Sequence, residues 1–125
     1  MPRASRRELG AAGEAAAAAW QEARGYRVLA RNVRTRHGEI DLVVRLESLV
    51  VFVEVKSRTS VCCGHPAEAI TPHKQHRLAR LAAVCLDRLG LEGCAVRFDA
   101  IAIRLDTRGA VLALEHVPDA FQAGT

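Results

Sequence analysis

Gly38-Glu39-Ile40-Asp41-Leu42-Val43-Val44-Arg45-Leu46 and Leu49-Val50-Val51-Phe52-Val53-Glu54-Val55-Lys56-Ser57, with only Glu47-Ser48 between them, decide the fold of this chain. Both runs are rich in β-branched residues and alternate with a period of two, as strands do. A turn at Glu47-Ser48 makes them a hairpin over residues 38–46 and 49–57 in which Leu46 faces Leu49. The same register sets Asp41 opposite Glu54 and Glu39 opposite Lys56, and directly opposed residues project from one face of a sheet. The other face carries Ile40, Leu42 and Val44 against Val51, Val53 and Val55, all apolar, and is expected to be core. Glu-Ser is a weak two-residue turn, so the register rests on the hydrophobic pattern.

Working outward, Ser5-Arg6-Arg7-Glu8 is a capping box that opens a helix to about Ala23, with Gly25 as its stop. Alanine dominates this helix, and Leu9, Gly13, Ala16 and Trp20 are its expected buried face. Tyr26 to Asn32 reads as a short strand. Beyond the hairpin, Pro66 to Ile70 reads as one helical turn, and Thr71-Pro72 starts a second helix that runs to about Leu89 before Gly90. Leu78, Leu81, Ala82, Cys85 and Leu89 form its apolar stripe, with the Gln75 amide pointing inward near its start. Two more strands follow at 95–105 and 110–117 around a turn at Asp106 to Gly109, with Asp99 expected to pair with Arg97 or another Arg. Residues 118–125 read as a loose tail. The expected architecture is one α/β domain over residues 1–117, order α-β-β-β-α-β-β, with a mixed central sheet flanked by helices.

The 125 residues suit a single domain, and 50% hydrophobic against 26% charged describes a chain with a true core. No apolar run nears the roughly 20 residues that span a bilayer, and the basic start lacks the apolar stretch of a signal peptide. A cytoplasmic location without membrane association is the resulting expectation. Cys62, Cys63, Cys85 and Cys94 lack paired spacing, so neither disulfides nor a zinc site at Cys62-Cys63-Gly64-His65 is expected. The net charge is +4, and of 18 basic residues only Lys56 and Lys74 are lysines. Arginine forks suit phosphates, so a polyanionic partner fits, although a modest excess of charge also serves solubility.

Glu54 and Lys56 project from one face of a strand, with Asp41 across the hairpin. Two carboxylates at the end of a sheet can share a hard cation such as magnesium, helped by the carbonyl of Val55. A surface ion pair worth less than about 1 kcal/mol would leave the same Glu-x-Lys pattern, so these residues alone keep both readings open.

Gly38-Glu39-Ile40-Asp41-Leu42-Val43 followed by Val51-Phe52-Val53-Glu54-Val55-Lys56-Ser57-Arg58 resembles the PD-(D/E)xK nuclease motif. The wider pattern resembles the YraN-like family, a branch of that superfamily akin to Holliday-junction resolvases. It takes in Gly10 and Glu14, Gly25-Tyr26, Arg31-Asn32, Gly64, Glu68-Ala69, Lys74-Gln75 and Arg97-Phe98-Asp99. Ile40 departs from the Pro that the superfamily often carries there.

The resemblance implies a restriction-endonuclease-like fold and hydrolysis of DNA phosphodiesters, at branched or flapped structures, with Mg2+ or Mn2+. Asp41, Glu54 and the Val55 carbonyl would hold the metal, with Lys56 as the catalytic lysine. Glu14 and Gln75 match helix residues that assist the site. Glu39 would be a second ligand or a salt-bridge partner of Lys56. Arg31, Arg34 and Arg36 are the expected backbone contacts to DNA, joined by Lys74 and Arg77 on the second helix. A chain this small can need a second copy or another protein to complete a groove. A non-catalytic DNA-binding or adaptor protein on the same fold is the rival expectation.

Overall fold

A computed structural model describes residues 2–59 and 71–121. The chain runs α1 (Arg6–Ala23), β1 (Arg27–Thr35), β2 (Gly38–Leu46), β3 (Leu49–Arg58), α2 (Pro72–Leu89), β4 (Ala95–Leu105) and β5 (Val111–Phe121). The α-β-β-β-α-β-β order is the expected one. The helical turn expected at Pro66–Ile70, the Cys62-Cys63-Gly64-His65 segment and residues 122–125 lie outside the described residues.

The five strands form one sheet in the order β1-β2-β3-β4-β5. β1, β2 and β3 pair antiparallel, β3 and β4 parallel, and β4 and β5 antiparallel. Parallel pairing of β3 with β4 demands a crossover, and α2 lies within it. The β2–β3 register sets Leu46 against Leu49, as the hydrophobic pattern requires. Glu47 takes a left-handed φ of 54° in the turn, where glycine is the easier residue, and Arg45 Nε donates to its carbonyl at 2.7 Å.

Each face of the sheet is covered by one helix. α1 lays Ala17 and Ala18 on Leu42, Val44, Val51, Val53, Ile101, Ile103 and Leu105. α2 lays Leu78, Leu81, Ala82 and Cys85 on Ile40, Val43, Val50, Phe52, Phe98 and Ala100. Both helices begin as expected: the Ser5–Glu8 capping box is formed, and Thr71 accepts from the Lys74 N–H ahead of Pro72. α2 ends on Gly90 at φ 68°, and Leu89 falls outside the buried stripe, 41% exposed.

Three expectations are corrected. The buried residues of α1 are Gly13, Ala17, Ala18 and Gln21, so its face is rotated from the one centred on Leu9, Ala16 and Trp20, which are only half-buried. An alanine-rich helix offers little contrast in side-chain size from which to read a face. Ile40 joins the α2-side core with Val43, not the α1-side core with Leu42 and Val44. The reason is a break in alternation: Asn32 and Asp41 occupy the missing rung between Arg31↔Leu42 and Val33↔Ile40, and Asn32 has φ 51°. Finally, β5 continues through Pro118 to Phe121, where a tail was expected from residue 118. Proline is tolerated there because β5 is an edge strand and one side of it needs no N–H.

Asp99, 1% exposed, locks the β4–β5 end of the sheet. It takes two bonds from Arg97 at 2.8 Å, one from the Asp119 N–H at 2.9 Å, and faces His116 Nε2 at 2.7 Å. Burial acts to raise its pKa, but the hydrogen bonds from Arg97, Asp119 and His116 hold it below the usual carboxylate range. Arg97 also reaches the Tyr26 hydroxyl at 3.2 Å, tying β4 to the end of α1. The expected Arg97–Asp99 pair is thus structural.

Gly13 sits mid-helix, where glycine costs about 1 kcal/mol relative to alanine. It is there because α1 approaches β3 so closely that a Cβ would overlap the Ser57 side chain. Gly13→Ala is therefore expected to lower stability by about 1–3 kcal/mol despite its better helix propensity, measured by chemical denaturation. Ser57→Gly in the same chain should restore most of the loss; a Gly13→Ala variant as stable as the parent would refute the close contact.

Candidate active site

The ladder between β2 and β3 stops at Leu42↔Val53. In an antiparallel pair, alternate rungs exchange hydrogen bonds, and the next exchange would join Val55 to Ile40. Instead the Val55 N–H donates to Asp41 Oδ2 at 2.7 Å. A side chain has replaced a backbone carbonyl, and the two strands part at this point. Because the N–H and C=O of a strand residue point toward the same neighbour, the Val55 carbonyl also faces the opening.

Asp41 lies one step beyond the last rung, at the position that the register aligns with Glu54. Its carboxyl pKa is pushed up to about 7, first by burial and then by the nearby charges of Glu54, Glu14 and Glu39, against the opposing pull of the Val55 N–H. Carboxylates from α1, β2 and β3 thus lie near enough to act on Asp41 electrostatically, without standing together as one cluster. Glu14 and Val55 line a cavity of about 480 Å³ between α1 and the end of β3. On the other side of the sheet, Glu39 and Glu54 line a smaller cavity of about 80 Å³ with His37, Lys74 and Arg77.

Lys56 follows Glu54 on the same face of β3, beside Ala102 of β4, and forms no ion pair among the described residues. Glu39 does not bridge to Lys56: it pairs with Arg34 at 3.2 Å, because the β2–β3 ladder that would have aligned Glu39 and Lys56 has ended. Arg34 remains 81% exposed in that pair, while Arg31 and Arg36 are exposed on β1 and its following turn. Gln75 is half-buried in the first turns of α2.

Lys74 and Arg77, expected on DNA, both have partners within the protein. Lys74 Nζ stands 3.8 Å from Glu54 Oε1, and Arg77 Nε donates to the His37 carbonyl at 3.2 Å. Arg77 also closes over Gly38, where φ is 128° and a Cβ would lie 2.9 Å from its guanidinium. Sequence reasoning missed these roles. The rarity of lysine in an arginine-rich chain singled out Lys74 but named no partner for it, and nothing local marked Arg77.

The donor set suits a hard cation, since carboxylate and carbonyl oxygens are its preferred partners. Among the described residues no three His, Cys, Asp or Glu side chains form a ready-made cage. Magnesium needs none: it commonly takes one or two carboxylates and keeps several waters, and Asp41 with Glu54 provides that set.

Between about pH 4 and 7 the folded chain keeps a proton on Asp41 that the unfolded chain has released, so stability from this position is lost as pH rises across that window. Asp41→Asn cannot ionise and is expected to outlast the parent by on the order of 2 kcal/mol at pH 8 in EDTA, with the gap closing near pH 4. Urea titrations at the two pH values check this; a constant gap would show that Asp41 is not held in its neutral form.

The family model for "Uncharacterised protein family UPF0102" matches residues 13–103. A UPF0102 protein of Symbiobacterium thermophilum is 48% identical over 117 residues, covering 94% of this chain and 98% of that one. One from Chlorobium phaeobacteroides is 42% identical over 119 residues, covering 92% and 94%. Among solved structures, Pyrococcus furiosus SfsA in complex with Ca2+ aligns with 85% of this chain and 61% of its own, at a TM-score of 0.36 and 16% identity, a loose likeness only. No helix among the described residues is long and apolar enough to cross a membrane. From its length-wide similarity to these relatives, the chain belongs to the UPF0102 family, the YraN-like branch of the restriction-endonuclease-like superfamily.

Proposed function

We propose that this protein is a nuclease that hydrolyses DNA phosphodiesters with Mg2+ or Mn2+. The observation that carries the reading is the Asp41–Val55 hydrogen bond, which opens the sheet and leaves a half-buried carboxylate beside Glu54, Glu14 and Glu39. Carboxylates crowded at a cost to their own ionisation are the mark of a functional site more than of a structural one. Asp41, Glu54 and the Val55 carbonyl would hold the cation, which when bound polarises the phosphoryl oxygen and lowers the pKa of a coordinated water.

The chain's own groups do the rest. Lys56, next to the small side chain of Ala102, orients the attacking water or meets the charge that develops on the phosphate. Glu14 adds negative charge from the α1 side, and Gln75 supports the site from α2. Arg31, Arg34 and Arg36 hold the DNA backbone along β1, contacts that fix position and carry no sequence information. A preference for branched or flapped DNA rests on fold analogy alone.

One observation favours a second reading, a non-catalytic DNA-binding or adaptor protein: Glu54 already has an ion-pair partner within the chain, Lys74 Nζ at 3.8 Å. Cleavage of labelled single-stranded, duplex, flapped and four-way DNA in magnesium, manganese or EDTA separates the two. The nuclease reading expects metal-dependent products that fall about 100-fold or more in Asp41→Ala and Lys56→Ala, with DNA affinity retained. Tight DNA binding with no products from the intact chain would favour the adaptor.

A further inference from the structure

Sixteen of the eighteen basic residues are arginine, and both lysines, Lys56 and Lys74, stand at the candidate site. Lys74 is also at an unfavourable point of its own helix. It occupies the third residue of α2, where the positive end of the helix dipole disfavours a cation, and the first turn of α2 contains no acidic residue to offset it. The compensating charge comes from β3: Nζ lies 3.8 Å from Glu54 Oε1, with the two side chains 40% and 16% exposed.

We infer that Lys74 is a built-in counter-ion that holds Glu54 in the metal-free protein and gives it up when a divalent cation binds. The inference rests on the nuclease reading and adds a residue that sets cation affinity. Its geometry suits exchange. At 3.8 Å the pair is longer than the 2.7–2.9 Å of a tight charge-assisted hydrogen bond, so Glu54 is neutralised without being clamped. Lysine is a compact charge on a flexible stem, whereas an arginine fork would grip the carboxylate with two parallel bonds and resist release. Arg77, one turn further along, shows the contrast: it is fixed on the His37 carbonyl and against Gly38. Once released, the Lys74 ammonium stands at the mouth of the Glu39–Glu54 cavity, where a DNA phosphate would arrive.

The test is Mn2+ binding by the full chain without DNA, followed calorimetrically for the parent, Lys74→Met, Lys74→Gln, Lys74→Arg and Glu54→Gln. Removing the competing charge is expected to tighten Mn2+ binding roughly three- to tenfold in both Lys74→Met and Lys74→Gln. Lys74→Arg should bind no more tightly than the parent, and Glu54→Gln should lose the ion. Unchanged or weaker binding in both neutral variants, with Glu54→Gln still abolishing it, would overturn the counter-ion role and leave the nuclease reading standing. Absence of Mn2+ binding in the parent and in both neutral variants would overturn the two together. Using two neutral side chains keeps a packing defect in either from deciding the result.

Discussion

The hydrogen bond from the Val55 N–H to the Asp41 carboxylate is the constraint on which the rest of the site depends. A hairpin with this much β-branched sequence would be expected to zip to its open end. Asp41 stops it by placing a carboxyl oxygen where the Ile40 carbonyl would have accepted from the Val55 N–H. The interruption spreads to the neighbouring strand: Asn32, aligned with Asp41, turns left-handed, and both strands change the face they show to the core. One side chain thus opens a sheet that remains fully packed a few residues away.

The two helices then bring their polar groups to this opening from opposite sides. α1 delivers Glu14 because Gly13 lets the helix settle directly on Ser57, and α2 delivers Lys74 because its capped start lies over the end of β3. β4 keeps the space beside Glu54 and Lys56 clear, setting Ala100 and Ala102 at the matching register positions. Small residues at three points of contact make the room, and the charged residues fill its walls. One strand over from the last β2–β3 rung, the buried Asp99 network ties β4 to β5 and, through Arg97, to Tyr26 just after α1.

Much of this was legible in the residues. The Leu46–Leu49 register, both helix starts and the Gly90 stop followed from patterning and capping chemistry, and the motif drew attention to the stretch of β2 and β3 where the ladder parts. What escaped was set by interactions that no local pattern encodes. Alternation predicts faces only while a strand is regular, so the switch at Asn32 and Asp41 misassigned Ile40. Asparagine's tolerance of the left-handed region was the one available hint. The proline at 118 read as an ending because its neutrality on a sheet edge depends on knowing which strand is outermost. The partners of Glu39 and Lys74 depended on where the ladder stopped, a property of the assembled sheet.

The irregularities of β1 and β5 have a consequence for the protein as a solute. These are the two outer strands, and an outer strand with a straight row of free backbone groups is a template for polymerisation. Asn32 breaks that row on one side, among the arginines of β1. Pro118 and the left-handed Asp119, at φ 52°, break it on the other. The kink beside the candidate site and the bend that brings Asp119 onto Asp99 therefore also spoil both borders for docking another β-strand. Such borders let a sheet this rich in valine and isoleucine resist forming fibrils.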